Sequence, residues 1–162
     1  MSVSILLVDD HELFMDGLQS IFDKELNFQV VGKMVNGLQA IQHIEKQQAD
    51  VVITDIRMPI LDGISLVKQL SESHPNLPVI ALSMFDQDAD IIEMLDAGAK
   101  GYVLKKANSK TLINAIHTVL RGELYVSEEF QNVYKQWKDQ KEIEIEKIVL
   151  TRRERQILEL VV

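Results

Sequence analysis

Apolar residues gather in short dense runs along the chain. Val3-Ser4-Ile5-Leu6-Leu7-Val8 is interrupted only by a hydroxyl, and Val51-Val52-Ile53, Val79-Ile80-Ala81-Leu82 and Gly101-Tyr102-Val103-Leu104 are similar. Runs this short and continuous predict strands buried on both faces. Phe28 to Val35 alternates less cleanly and suits an edge strand. Between the runs the period changes: Phe14, Leu18, Ile21 and Phe22 stand at i, i+4, i+7 and i+8, and Leu112, Ile116, Val119 and Leu120 repeat that pattern. Leu66, Val67 and Leu70 form a shorter stripe, as do Ile91, Ile92 and Leu95. Such spacings put apolar side chains on one side of a helix. Strand then helix, about five times over, predicts an α/β domain over residues 1–122, a doubly wound five-stranded parallel sheet, because parallel neighbours need crossover connections.

Beyond Gly122 acidic and basic residues mix densely, and Phe130, Val133, Tyr134, Trp137 and Lys141 outline one helix with an apolar seam. Residues 123–149 therefore read as a helical linker. Thr151-Arg152-Arg153-Glu154 has the composition of a capping box, in which hydroxyl and carboxylate each satisfy an orphan backbone N–H. It predicts a new helix starting there, in a last segment of residues 150–162 that stops inside it.

Composition narrows the classes. The 162 residues, 46% of them hydrophobic, suffice for one core and a short appendage. A net charge of -8 excludes a general basic footprint for nucleic acid or an anionic membrane, so any DNA contact is local. Zero cysteines exclude a disulfide scaffold, a thiol nucleophile and a thiolate zinc site. No stretch has the build of a signal peptide, and no apolar run approaches the ~20 residues that span a bilayer. The expectation is a cytoplasmic protein with no membrane partner.

The chemistry sits at the strand ends. In a doubly wound sheet ligands bind outside the carboxyl ends of the strands, where strand order reverses. The first apolar run ends in Asp9-Asp10, the third in Thr54-Asp55, the fourth in Ser83 and the fifth in Lys105-Lys106. Three carboxylates in one cavity repel each other unless a cation sits among them, and a hard divalent ion such as Mg2+ suits oxygen ligands. A lysine adds compact positive charge for a phosphoryl group, and a serine hydroxyl can hydrogen-bond one of its oxygens. The set points to acyl phosphate chemistry, with an Asp carboxylate as nucleophile towards phosphorus.

Five separated motifs, Leu7-Val8-Asp9-Asp10-His11, Asp55-Ile56-Arg57-Met58-Pro59, Asp62-Gly63, Leu82-Ser83 and Gly101-Tyr102-Val103-Leu104-Lys105, resemble in order and spacing the receiver domain of two-component response regulators. Leu150-Thr151-Arg152-Arg153-Glu154-Arg155-Gln156-Ile157-Leu158 resembles the opening of the helix-turn-helix output domain of the NarL/FixJ (LuxR-type) subfamily. The resemblance implies a flavodoxin-like strand order 2-1-3-4-5, and Asp55 as acceptor of a phosphoryl group from a sensor histidine kinase. Asp10, Asp55 and the Arg57 backbone carbonyl would ligate Mg2+, with Asp9 acting largely through water. Lys105 would pair with Asp55 and then with the phosphoryl oxygens, Ser83 would move towards that group, and Tyr102 stands at the switch aromatic position. Phosphorylation would control homodimerisation and DNA binding of the full-length regulator, while this chain, without a recognition helix, would bind DNA at most weakly. Met84 and Lys106 depart from the family pattern, which often has a small residue and a proline there.

Each residue also has a plainer reading. An isolated Asp-Asp is usually a turn or cap, Ser83 alone could be a helix N-cap, Lys105 alone a solvated lysine, and Tyr102 a strand aromatic. The four histidines, His11, His43, His74 and His117, lack ligand spacing, and none is assigned a metal. The enzyme alternative, an aspartyl-phosphate phosphatase of the haloacid dehalogenase type, would want a second Asp two positions after the nucleophile, where Arg57 stands. A Rossmann-type nucleotide site is disfavoured because no Gly-rich turn follows the first strand. The chain reads as a phosphoacceptor switch rather than an enzyme.

Overall fold

The structure, a computed structural model, describes residues 2–84 and 87–161. Strands β1 (Val3–Val8), β2 (Phe28–Met34), β3 (Val51–Asp55), β4 (Val79–Ser83) and β5 (Gly101–Leu104) alternate with helices α1 (Glu12–Asp23), α2 (Gly37–Lys46), α3 (Gly63–Ser73), α4 (Asp88–Ala97) and α5 (Ser109–Leu120). Residue parity divides the core into two layers. Ile5 and Leu7 of β1 turn to the layer that holds Met15, Phe22 and Ile116 of α1 and α5. Leu6 and Val8 turn to the layer holding Ala40, Leu66 and Met94 of α2, α3 and α4. Both faces are therefore dry, which is why the strand sequences run apolar instead of alternating. Each such Leu or Ile contributes roughly 1.5–3 kcal/mol by leaving water.

All pairings are parallel, and the order is β2-β1-β3-β4-β5-β6. This corrects the five-stranded expectation. The sixth strand, β6 (Tyr125–Val126), pairs with Gly101 and Tyr102 of β5, inside the stretch expected to be linker. A 3-10 turn (Glu128–Phe130) follows and buries Phe130 in the α2–α4 layer, edge-on to Tyr102 with ring centroids 5.3 Å apart.

Helix α6 (Gln131–Val161) is continuous over 31 residues. Its first turns carry Val133, Tyr134 and Trp137 onto that layer. Trp137 Nε1 donates to Asp96 Oδ1 of α4 at 2.8 Å, and Lys141 Nζ lies 3.0 Å from the same oxygen. These contacts, the Trp137 hydrogen bond first, hold the Asp96 carboxyl below the usual range. From residue 142 onward α6 is exposed through residue 160. The helix start expected at Thr151 does not form. Its hydroxyl donates back to the Lys147 carbonyl at 2.9 Å, as an interior helical residue does. No Gly or Pro occurs after Gly122, so nothing releases the backbone into the extended form that an N-cap needs. Among the described residues no helix is long and apolar enough to cross a membrane.

Candidate functional site

Strand order reverses between β1 and β3, and the carboxyl ends of β1, β3, β4 and β5 open on that side of the sheet. Asp9 follows β1, Asp55 and Ser83 end β3 and β4, and Lys105 follows β5. The structure brings them together. Lys105 Nζ donates to Asp9 Oδ2 at 2.7 Å and lies 3.4 Å from Asp55 Oδ2, with all three side chains nearly out of water. Asp55 Oδ1 accepts the Ile56 N–H at 2.8 Å. Ser83 is buried across a cavity of about 210 Å³ shared with Asp55, Arg57 and Lys105, and Met84 also lines that cavity.

The loop after β3 is pinned at its far end. Asp62 caps α3 by accepting the Ser65 N–H at 2.8 Å, and the Gly63 N–H returns to the Ile56 carbonyl at 2.8 Å. A side chain at position 63 would collide with the Asp55 carbonyl oxygen, so glycine is required there. Within this loop Ile60 holds a φ of 69°, a left-handed conformation that costs a branched residue about 1–3 kcal/mol.

The electrostatics are unbalanced. Burial, and then the neighbouring Asp9 charge, push the Asp55 carboxyl above its usual range, against the opposing pull of Lys105 and the Ile56 N–H. Ligand atoms of Asp9, Asp10, His11 and Asp55 all lie within 4.8 Å of one another. Three carboxylates with one buried ammonium among them leave net negative charge, and their oxygens are the donors a hard divalent cation prefers. The donor set thus fits Mg2+.

Three contributors were missed by sequence reasoning. His11 Nδ1 lies 2.8 Å from Asp9, 3.3 Å from Asp10 and 3.9 Å from Asp55, although none of the histidines had been expected near a metal. The hydrogen bond to Asp9, then the Asp9 and Asp10 charges, raise its imidazole above the usual value. Its place directly after Asp9-Asp10 was the available signal. Asp90, in the first turn of α4, is buried at the cavity wall; one oxygen is 3.3 Å from Arg57 Nη2 and the other has no hydrogen-bond partner among the described residues. Phe14 puts its ring under Lys105, with Nζ 4.5 Å from the centroid. Tyr102 is fully buried in β5, edge-on to Phe130.

Known proteins resemble this chain in sequence and in fold. The family model described as response regulator receiver domain matches residues 5–117. The transcriptional regulatory protein DegU of Brevibacillus brevis is 32% identical over 174 residues, spanning 98% of this chain and 74% of DegU. The oxygen regulatory protein NreC of Staphylococcus epidermidis is 35% identical over 125 residues, 76% of this chain and 57% of NreC. Among solved structures, the RcsB response regulator of Salmonella typhimurium superposes with a TM-score of 0.77 at 27% identity, covering 83% of this chain and 70% of that one. A LuxR-family response regulator from Aurantimonas shares the fold, with a TM-score of 0.76 at 22% identity over 87% of this chain and 99% of that one.

Proposed function

Because this chain belongs to the response regulator receiver family of two-component systems, LuxR type, we propose that it is a phosphorylation switch whose acceptor is Asp55. The observation that carries the reading is the Asp9–Lys105–Asp55 cluster, drawn from three strand ends, with Ser83 lining the same cavity as Asp55 and Lys105. An Asp55 carboxylate oxygen attacks phosphorus, an O–P bond forms, and the bond to the donor's leaving group breaks; the donor is the phosphohistidine of a sensor kinase. Asp9, Asp10, Asp55 and the Arg57 backbone carbonyl would hold Mg2+, which when bound supplies positive charge against the transferring phosphoryl oxygens. Lys105 is already placed to neutralise the acceptor and then the product, and the Ser83 hydroxyl can hydrogen-bond a phosphoryl oxygen.

The output is a change in association. A phosphoryl group at Asp55 adds charge that the two conformations meet differently, and that difference shifts the population. The shift acts through Ser83 and Tyr102 on homodimerisation, and on DNA binding in the full-length regulator. An RcsB neighbour, 27% identical, was solved as two dimers bound to two parallel DNAs, which supports this direction of output. We propose that residues 150–162, which here continue α6 as far as residue 161, open the output domain of the full-length regulator. The phosphatase reading is not favoured. Position 57, where that enzyme pattern wants a second Asp as general acid, carries an arginine whose guanidinium faces Asp90.

The test is phosphorylation by acetyl phosphate with and without Mg2+, on the parent and on Asp55→Asn, read as intact mass and as molar mass in solution. One Mg2+-dependent phosphoryl adduct, absent from the variant and accompanied by dimer formation, is expected. Loss of acetyl phosphate with no adduct would return the phosphatase; neither adduct nor turnover would remove Asp55 as acceptor.

A further inference from the structure

The Lys105 ammonium has three N–H bonds, and the protein accounts for its surroundings on three sides. One side meets Asp9 Oδ2 at 2.7 Å and a second meets Asp55 Oδ2 at 3.4 Å. The third faces the ring of Phe14, 4.5 Å from its centroid. The Lys105 side chain is only 7% exposed, so little water competes with the ring for the cation. Cation–π attraction strengthens when its partners are desolvated in this way.

Phe14 has a second role by position. It sits in the first turn of α1, half-buried against the α1/α5 layer. Its ring also lines a largely apolar groove of about 240 Å³ between α1 and α5, together with Leu13, Leu18, Leu112 and Lys105 itself. Leu13 at the rim is 88% exposed. The ring therefore packs against the acceptor's lysine in the wall of an outward-facing groove that both residues line.

We infer that Phe14 is a positioning residue that holds Lys105 in its unphosphorylated place and passes the lysine's displacement to the α1/α5 groove. The inference rests on Asp55 being the phosphoacceptor. A phosphoryl group brings up to about two negative charges and several strong acceptor oxygens beside the lysine. Against these the quadrupole of a ring is a weak competitor, and the ammonium turns from Phe14 towards the new oxygens. The ring, left without its cation, repacks as an ordinary apolar side chain at the groove. A contact made only in the unphosphorylated state favours that state, so deleting it favours the other. This sign separates the role from simple packing: truncating a residue that only supports α1 would loosen the site and weaken ligand binding.

The experiment uses beryllium fluoride with Mg2+ as the phosphoryl mimic on the parent, Phe14→Leu and Phe14→Tyr. Bound fluoride is read by 19F NMR, and the methyls of Leu13, Leu18 and Leu112 by 1H–13C spectra. Leucine keeps an apolar side chain and loses the π face; tyrosine keeps the face. Phe14→Leu is expected to bind the mimic about fivefold more tightly, within the range of a cation–π contact. Phe14→Tyr should stay near the parent. The groove methyls should shift on binding in the parent and in Phe14→Tyr but not in Phe14→Leu. Equal or weaker binding by Phe14→Leu, or the same methyl shifts in it as in the parent, overturns the coupling alone. A parent that takes up no beryllium fluoride overturns the phosphoacceptor reading itself, and the coupling with it.

Discussion

Phe130→Ala asks whether the stretch after Gly122 is an appendage or part of the core. Phe130 is 2% exposed and sits edge-on to the fully buried Tyr102 ring, under the first turns of α6. Removing a buried phenyl ring costs about 3–5 kcal/mol, the transfer and cavity contributions together. The structure can lower that figure in one way, by letting residues 123–141 come off. What would then be lost is the pairing of β6, the Trp137 and Lys141 contacts to Asp96, and the cover over Tyr102. For a chain of this length each kcal/mol moves Tm by about 2–4 °C, so an integral Phe130 predicts a fall of about 10 °C. The assay is thermal unfolding followed by far-UV circular dichroism and by the fluorescence of Trp137, the one tryptophan in the chain. Both probes should report a single coincident transition in the parent and in the variant. A receiver transition displaced by less than about 2 °C, with Trp137 already solvated before it, would refute the reasoning and put the boundary back at residue 122.

Two further predictions concern the acidic cluster. The Asp55 carboxyl lies above its usual range in the folded protein, so the folded state holds that proton more tightly than the unfolded chain does. Its ionised form therefore costs stability, increasingly as pH rises from the unfolded value of ~3.9 through the folded one. Without divalent cations Asp55→Asn should melt higher than the parent at pH 7, with the advantage fading below about pH 4; a lower melting temperature at pH 7 would contradict this. Lys105→Met leaves Asp9 and Asp55 facing each other with their buried cation gone, which predicts a loss of about 3–5 kcal/mol at pH 7. Millimolar Mg2+ should restore part of that loss in a melting titration, and failure of any rescue would argue against a cation seated among these carboxylates.

How much of this was legible in the sequence depends on how local each determinant is. β1, β3, β4 and β5 were readable because burial on both faces leaves a dense apolar run, and the polar residue closing each run lies by construction at the sheet's carboxyl edge. That alone brought Asp9, Asp55, Ser83 and Lys105 to one side. β6 was not readable: Tyr125-Val126 is too short to show a period, and it is a strand only because Gly101 and Tyr102 offer a free edge twenty-four residues earlier. The capping motif at Thr151 misled for a related reason. A cap acts only where the backbone before it leaves the helix, and residues 142–150 contain nothing to make it do so. Asp90 marks the limit within the site. An acid in the first turn of α4 needs no explanation beyond the helix dipole. Its place on the wall of the Asp55 cavity brings it to Arg57, thirty-three residues away, and no spacing along the chain encodes that meeting. The same holds for Phe14, which its i, i+4, i+7 stripe correctly assigned to the core side of α1. The stripe places the helix face; only the fold decides that this face ends beneath the ammonium of Lys105.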